Sequence, residues 1–451
     1  MAKTTKKIET KPKAEKATPK KTAVQPKVTT SPDTSKAPAK KAAAQPKATT
    51  SPDATKAPAK KAAAQPKAEK QPAIKAVEKP ITATKSGGYP SLIDTRLIQI
   101  RFRFQELKTE GLVVTYMPNI RYLTNFSGSS ATLMIFENEI WFFTDDRYQE
   151  QIKTELYPLP GLKTFIARDV WTYCVENKLI ENIKSLAFEG DRVGYSTAVA
   201  IRNQVRPLKF KPSEDKEVER YTMPKAPEEL AYIEEACRLA EATYNKILKF
   251  IKPGVTEKDI ATEIAYISRK LGSEGDPFDI IVTSGERGAL VHGAPSDRKI
   301  RKGDIIIMDF GCKFHGFGSD ITRTVSVGKA TQEQKSVYKL LVEAKEAAIK
   351  EVRPHMNGMH LDLIARDMIK KAKYGKYFEH SLGHGIGLVA HESPIISFRL
   401  EDQIIPEDCV LAIEPGIYIP NKFGMRVEDN VYITRDGARH LTKAPDELLE
   451  L

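Results

Sequence analysis

Two hydrophobic periods alternate along the first globular stretch of the chain. "SLIDTRLIQIRFRFQELKTEG" places apolar residues at helical spacing and ends at Gly111. Strand-like runs follow: "LVVTYM" (112–117), "SATLMIF" (130–136) and "EIWFFTD" (139–145). A helical "RYQEQIKTEL" comes next, then strands at "KTFIA" and "SLAFEG". Strands alternating with helices predict an α/β layer. The polar, proline-containing stretch 209–229 reads as a linker that closes this layer. Beyond it, "APEELAYIEEACRLAEATYNKILKFI" and "TEKDIATEIAYISRKLG" predict two helices, the first stopping before Pro253-Gly254 and the second running from a Thr256 cap to Gly272. From Phe278 strands dominate ("FDIIVTSG", "DIIIMDFG", "DITRTVSVG", "CVLAIEPGIYI", "MRVEDNVYIT"), interrupted by helices near 332–352 and 358–373. This second block predicts an α+β domain with an antiparallel sheet.

The first 87 residues have no such periodicity. "KTAVQPKVTTSPDTSKAPAK" (21–40) recurs as "KAAAQPKATTSPDATKAPAK" (41–60), and a third copy begins at Lys61. The pattern lacks the large apolar side chains that would offset the entropy of ordering, so a disordered tail is expected. The expected organisation is therefore a tail over 1–87, an α/β domain over 88–222 and an α+β domain over 223–451. The tail also explains the charge. The chain carries +12, but residues 1–87 hold 21 lysines, no arginine and 6 acidic residues, a net of +15. The rest is close to neutral, at −3. A weak polyanion contact through the tail is one expectation, and a solvated linker is the other. No run approaches 18 apolar residues, so no membrane span is expected. The four cysteines, Cys174, Cys237, Cys312 and Cys409, form no CxxC pair. That suits a reducing cytoplasm and argues against a thiolate zinc site.

Candidate chemistry lies in the second block. In "DIIIMDF" on a strand, Ile305, Ile307 and Asp309 share a face, and on the returning "SDITRT" so do Asp320, Thr322 and Thr324. The glycine-rich connection suits a hairpin. A second pair of strands repeats the plan, with Glu414 ending one and Arg426 and Glu428 on a face of the next. Between them "FEHSLGHGIGLVAHESP" holds His380, His384 and His391, three of the eight histidines. Four carboxylates gathered at about 5 Å would repel by roughly 3 kcal/mol per pair at an effective dielectric near 20. The six pairs sum to about 20 kcal/mol, beyond the net stability of about 5–15 kcal/mol typical of a domain. Such a cluster must protonate or bind cations. Two divalent ions would balance it, and the oxygen-rich set with one imidazole favours manganese, with cobalt, iron or zinc as alternatives.

These motifs together resemble the pita-bread metallopeptidases: aminopeptidase P, prolidase, methionine aminopeptidase and creatinase. The resemblance covers roughly residues 90–451. It implies that Asp309, Asp320, His384, Glu414 and Glu428 are metal ligands, with Asp320 and Glu428 bridging and Glu414 doubling as general base to a bridging hydroxide. It also implies catalytic roles for His292 in "ALVHGAP", His380, His391 in "VAHESP" and Arg426. His315, His355, His360 and His440 gain no such support, and Cys312 is expected to be a packed thiol. "PNIRYLTNFSGSSATLMIF…WFFTDDRYQEQ" resembles the creatinase-like N-terminal domain of prolidases and X-Pro aminopeptidases. The resemblance thus implies a homodimeric Xaa-Pro aminopeptidase acting on peptides with proline second, and the cysteine pattern makes a cytoplasmic location the expectation. The Xaa-Pro dipeptidase (prolidase) is the alternative, and a non-catalytic binding module is a distant one.

Overall fold

In the computed structural model the described residues are 89–213 and 216–451. The disorder expected for the tail lies outside them.

The first layer is a six-stranded sheet. Its elements run α1 (Tyr89–Leu107), β1 (Gly111–Val114), α2 (Met117–Thr124), β2 (Ala131–Phe136), β3 (Ile140–Thr144), α3 (Ile152–Glu155), β4 (Leu162–Ile166), α4 (Val170–Glu176), β5 (Ser185–Glu189), α5 (Tyr195–Gln204) and β6 (Lys209–Ser213). The strand order is β4-β3-β2-β1-β5-β6. Alternation explains the apolar runs: Leu112, Leu133 and Phe142 pack with α1 and α2 on one face, while Val113, Met134 and Phe143 pack with α4 and α5 on the other. A sheet buried on both faces needs strands without a polar side. β6 differs from expectation. It lies in the stretch read as linker, because Lys209, Lys211 and Pro212 look unlike a strand; it is an edge strand, where a proline costs no ladder bond on the open side.

The remaining elements are α6 (Pro227–Ile247), α7 (Glu257–Leu271), β7 (Ile281–Ser284), β8 (Ile305–Phe310), β9 (Lys313–Phe314), β10 (Phe317–Gly318), β11 (Ile321–Ser326), α8 (Gln332–Glu351), α9 (Gly358–Lys371), β12 (Gly383–Gly385), β13 (Glu392–Ile396), β14 (Val410–Ile413), β15 (Gly416–Ile419), β16 (Phe423–Arg426), β17 (Asp429–Thr434), β18 (Gly437–His440) and β19 (Leu449–Glu450). They build a four-stranded sheet, β19-β11-β8-β7, and a five-stranded sheet, β13-β12-β14-β17-β18. Helices α6 and α7 cover the first through a core including Tyr244, Ile264, Ile306, Met308 and Phe310. Helices α8 and α9 cover the second through Leu341, Leu361, Leu411, Ile413 and Val431. The α7 helix starts as its sequence demands, with Thr256 and Asp259 exchanging bonds in a capping box, and ends at Gly272 with φ 112°.

Two expected strands are each broken in two. "CVLAIEPGIYI" divides at Glu414-Pro415 into β14 and β15, and "MRVEDNVYIT" divides at Val427-Glu428 into β16 and β17. β14 pairs with β17 in the large sheet, whereas β15 pairs with β16 in a separate ribbon. Both breaks carry a carboxylate. Leaving the ladder there lets Glu414 and Glu428 turn away from the core that their strands bury.

Candidate metal centre

β8 is wholly buried because it serves two cores. Ile306, Met308 and Phe310 pack under α6 and α7, and Ile305 joins the core beneath α8 and α9. Asp309 shares the face of Ile305 and Ile307. Its antiparallel neighbour on β11 is Thr322, directly opposite, which puts Asp320 on that same face.

All nine residues singled out from the sequence line one cavity of about 220 Å³: His292, Asp309, Asp320, His380, His384, His391, Glu414, Arg426 and Glu428. Ligand atoms of Asp320, His384 and Glu428 lie within 4.8 Å of one another. His384 Nε2 is 3.7 Å from both Asp320 Oδ2 and Glu414 Oε1. Asp309 is tied through Oδ2 to the Arg426 guanidinium, whose Nε lies 3.9 Å from Glu414. His292 and His391 stand at the rim, both exposed.

Burial works against charge here. Asp320 and Glu414 are pushed well above the carboxylate range, first by burial and then by the neighbouring carboxylates. Glu428 is raised to about 8 for the same reasons, burial first and Asp309 second. One arginine cannot balance four carboxylates. The histidines go the other way: burial lowers His380 and His384 to about 3, and lowers His391 as well. His384 is therefore neutral, and its approaches to carboxylates are not ion pairs. Its Nδ1 is 3.0 Å from the Gly385 carbonyl, which can only accept, so Nδ1 carries the proton and Nε2 offers a lone pair to the cavity.

A divalent ion fits this donor set. Asp309 Oδ1, Asp320 Oδ1 and Glu428 Oε1 are buried oxygens with no hydrogen-bond partner among the described residues. Native structures leave such acceptors orphaned only rarely, and each calls for an explanation. Oxygen-rich ligation with one imidazole is the chemistry of hard to borderline divalent metals.

Three further residues shape the site and were not singled out from the sequence. Thr322 accepts from Arg426 Nε at 3.1 Å and donates to Glu428 Oε2 at 2.7 Å. Asn430 accepts the Asp320 backbone N–H at 2.9 Å. Tyr418 accepts from Arg426 Nη1 at 2.6 Å and lies 3.0 Å from His380 Nε2. Since His380 Nδ1 must donate to the Ser381 carbonyl at 2.8 Å, Tyr418 donates to Nε2, giving a directed chain from arginine through tyrosine to imidazole. The faint signal was position: Thr322 lies on the same strand face as Asp320, and Asn430 on that of Glu428.

A buried, cation-deficient carboxylate cluster with one neutral imidazole is a donor set suited to a hydrolytic metal centre. Sequence comparison agrees. Residues 231–435 match the profile of Metallopeptidase family M24, and residues 96–220 match the Creatinase/Prolidase N-terminal domain. An uncharacterised peptidase of Bacillus subtilis is 36% identical over 359 residues, 79% of this chain and 100% of its own length. Among solved structures, an Xaa-Pro dipeptidase from Bacillus anthracis superposes with TM-score 0.75 at 34% identity, covering 80% of this chain and 100% of that one. An X-Pro aminopeptidase from Thermotoga maritima superposes with TM-score 0.73 at 35% identity, covering 79% and 99%. The chain belongs to metallopeptidase family M24, with a creatinase-type N-terminal domain followed by the pita-bread domain.

Proposed function

We propose that this metallopeptidase is an Xaa-Pro aminopeptidase, releasing the N-terminal residue from peptides with proline in second place. The observation that carries the reading is the set of three carboxylate oxygens, on Asp309, Asp320 and Glu428, that lack a hydrogen-bond partner among the described residues in the cavity that His384 also lines. The solved relatives named for X-Pro chemistry support it. Asp309, Asp320, His384, Glu414 and Glu428 would hold two divalent ions, manganese in our reading, and such a pair supplies an activated water and polarises a carbonyl.

The chain's own groups divide the remaining work. Among the described residues Glu414 Oε1 has only the 3.7 Å approach of His384; with cations in the site its carboxyl would be ionised and would accept a proton from the attacking water. Arg426 is held on Asp309, Thr322 and Tyr418, which fixes a positive charge beside the reacting carbonyl. His380 stays neutral and hydrogen-bonded, a shaped wall rather than a cation. His292 and His391, exposed on the lining of the cavity, would serve the developing oxyanion and the proline nitrogen. That nitrogen has no N–H and leaves as a secondary amine, so it needs a proton from such a donor.

A dipeptidase is the second reading, favoured by the name of the Bacillus anthracis relative. The reading also includes a homodimer and a cytoplasmic location, the latter supported by four free, buried cysteines. Among the described residues no helix is long and apolar enough to cross a membrane. It also takes residues 88–222 and 223–451 as the two domains. The test is a panel of Ala-Pro, Ala-Pro-Ala and Ala-Ala-Ala with EDTA, then manganese, cobalt or zinc. Hydrolysis of Ala-Pro-Ala at least equal to that of Ala-Pro is expected. Cleavage of Ala-Pro alone would transfer the assignment to the dipeptidase, and cleavage of neither would refute X-Pro specificity.

A further inference from the structure

A second cavity, about 200 Å³, adjoins the metal-binding one and shares His391 with it. It lies where the two domains meet. Tyr116 and Asn119 come from the start of α2, Arg192 from the loop after β5, Lys216 from beyond β6, and His391 and Glu392 from the segment leading into β13. No residue of this group except His391 takes part in the chemistry outlined above.

Its charges are only partly paired atom by atom. The Arg192 guanidinium lies 3.9 Å from the centre of the Tyr116 ring, a stacked position that holds it in one orientation. Its Nη2 donates to Glu219 at 2.9 Å and its Nε lies 3.3 Å from Asp191, while Nη1 has no partner among the described residues. Lys216 is exposed and forms no ion pair among them. The acidic lining is engaged through one oxygen of each carboxylate. Glu219 is bound by Arg192, and buried Glu392 receives Lys225 Nζ at 2.5 Å. Lys225 is itself buried and also donates to the carbonyls of Thr222 and Met223, so it is fixed beneath Glu392. Among the described residues, the lining cationic atoms left without an ion-pair or hydrogen-bond partner are Arg192 Nη1 and the Lys216 ammonium.

We propose that this cavity is the binding subsite for the C-terminal carboxylate of an oligopeptide substrate, with Arg192 and Lys216 as specificity-determining residues. The inference rests on the X-Pro reading, which puts the substrate's first residue and proline in the metal cavity. The chain beyond proline must leave along a wall of that cavity, and His391 is the wall that both cavities share. An extended peptide advances about 3.3 Å per residue. A chain continued past proline along that wall passes the imidazole and carries its carboxylate toward these donors. A dipeptide is too short to do so, because its carboxylate sits on the proline itself. The device would thus favour short oligopeptides over dipeptides, and free acids over amides.

The test compares Ala-Pro-Ala with its C-terminal amide on the manganese-loaded full chain. A free carboxylate should raise kcat/KM about fivefold over the amide, as expected for a part-exposed charged pair. The ratio should fall to near one in Lys216→Gln and in Arg192→Gln. A loss of structure would lower both substrates together and leave the ratio unchanged. Calorimetric binding of the same acid and amide gives a readout independent of turnover. If no X-Pro peptide is cut but the acid still binds more tightly than the amide, the failure belongs to the X-Pro reading and the subsite stands. Equal handling of acid and amide by the unmodified protein overturns the proposal, as does a preference that survives both substitutions.

Discussion

Glu428 and Asp429 are consecutive, and both are buried, with 1% and 2% of their surface exposed. Their side chains enter opposite electrostatic worlds. Asp429 meets protein cations: Arg323 Nη2 donates to it at 2.7 Å, Lys345 Nζ donates to its other oxygen, and His440 Nδ1 lies 3.7 Å away. Burial alone would raise its carboxyl, but the nearby His440 imidazole and the charges of Arg323 and Lys345 hold it well below the usual range. Glu428 faces Asp309, Asp320 and Glu414 with only Arg426 for balance among the described residues, and burial followed by Asp309 raises it to about 8. Asp429, Glu346 and His440 also bring ligand atoms within 4.8 Å of one another. Lys345 and Arg323 already neutralise that group, so it has no call for a metal. The lesson is that proximity of carboxylates does not by itself define a metal centre; a shortage of built-in cations does.

The two clusters are joined. Arg323 Nη1 donates to the carbonyl of Glu428 at 2.6 Å and to that of Thr322 at 3.0 Å. The balanced side therefore anchors the backbone from which the deficient side projects. A fixed scaffold of this kind keeps ligands in place without requiring them to attract one another.

Substitutions on either side should have opposite consequences. The largest effect is expected for Asp320→Ala, which removes an oxygen donor at the centre of the deficient cluster: retained divalent metal and X-Pro hydrolysis should both fall to background, by elemental analysis and peptide assay. Full activity in this variant would break the contrast. Next, Lys345→Met should destabilise the protein by about 3 kcal/mol in denaturant unfolding, because it strips a buried carboxylate of a partner. Glu428→Gln in the metal-free protein should instead stabilise it, on the order of 1–3 kcal/mol at pH 7, by removing the cost of an ionised or protonated acid there.

The next effect is smaller and depends on pH. The close carboxylates of Asp429 and Glu346 raise His440 to about 9 from an ordinary value near 6.5. A raised folded-state value means that its stabilisation is complete below about pH 6.5 and is lost as pH rises through about 9. The His440→Gln variant should accordingly be less stable than the unmodified protein at pH 6, by about 1 kcal/mol after solvent screening, and nearly equal at pH 10. A constant difference across that range would remove His440 from the balanced cluster. The smallest effect is expected from deleting residues 1–85, which contain no proposed ligand or base: kcat should stay within experimental error.

The contrast also separates what was legible in the sequence from what was not. Asp309 and Asp320 could be placed on one face because strand alternation is local and the glycine-rich hairpin between them is short. The apolar runs of the first sheet were legible for the same reason. The breaks at Glu414-Pro415 and Val427-Glu428 were not, since an apolar strand ending in a carboxylate looks the same whether it continues or changes sheet. Thr322 reaches Glu428 across 106 positions, and Tyr418 meets His380 across 38. A lone threonine or tyrosine on a strand carries no local mark of such a partner. β6 was hidden because edge strands tolerate lysine and proline. Nor did anything local distinguish Asp429, its carboxylate met by a lysine 84 residues earlier, from Glu428 beside it.

Metal stoichiometry tests the central claim most directly. After dialysis against manganese and then buffer, the full chain should retain two ions per molecule, and EDTA should remove both together with hydrolysis of Ala-Pro-Ala. A folded protein that retains none, or one that hydrolyses the peptide at full rate after its ions are stripped, would contradict the account.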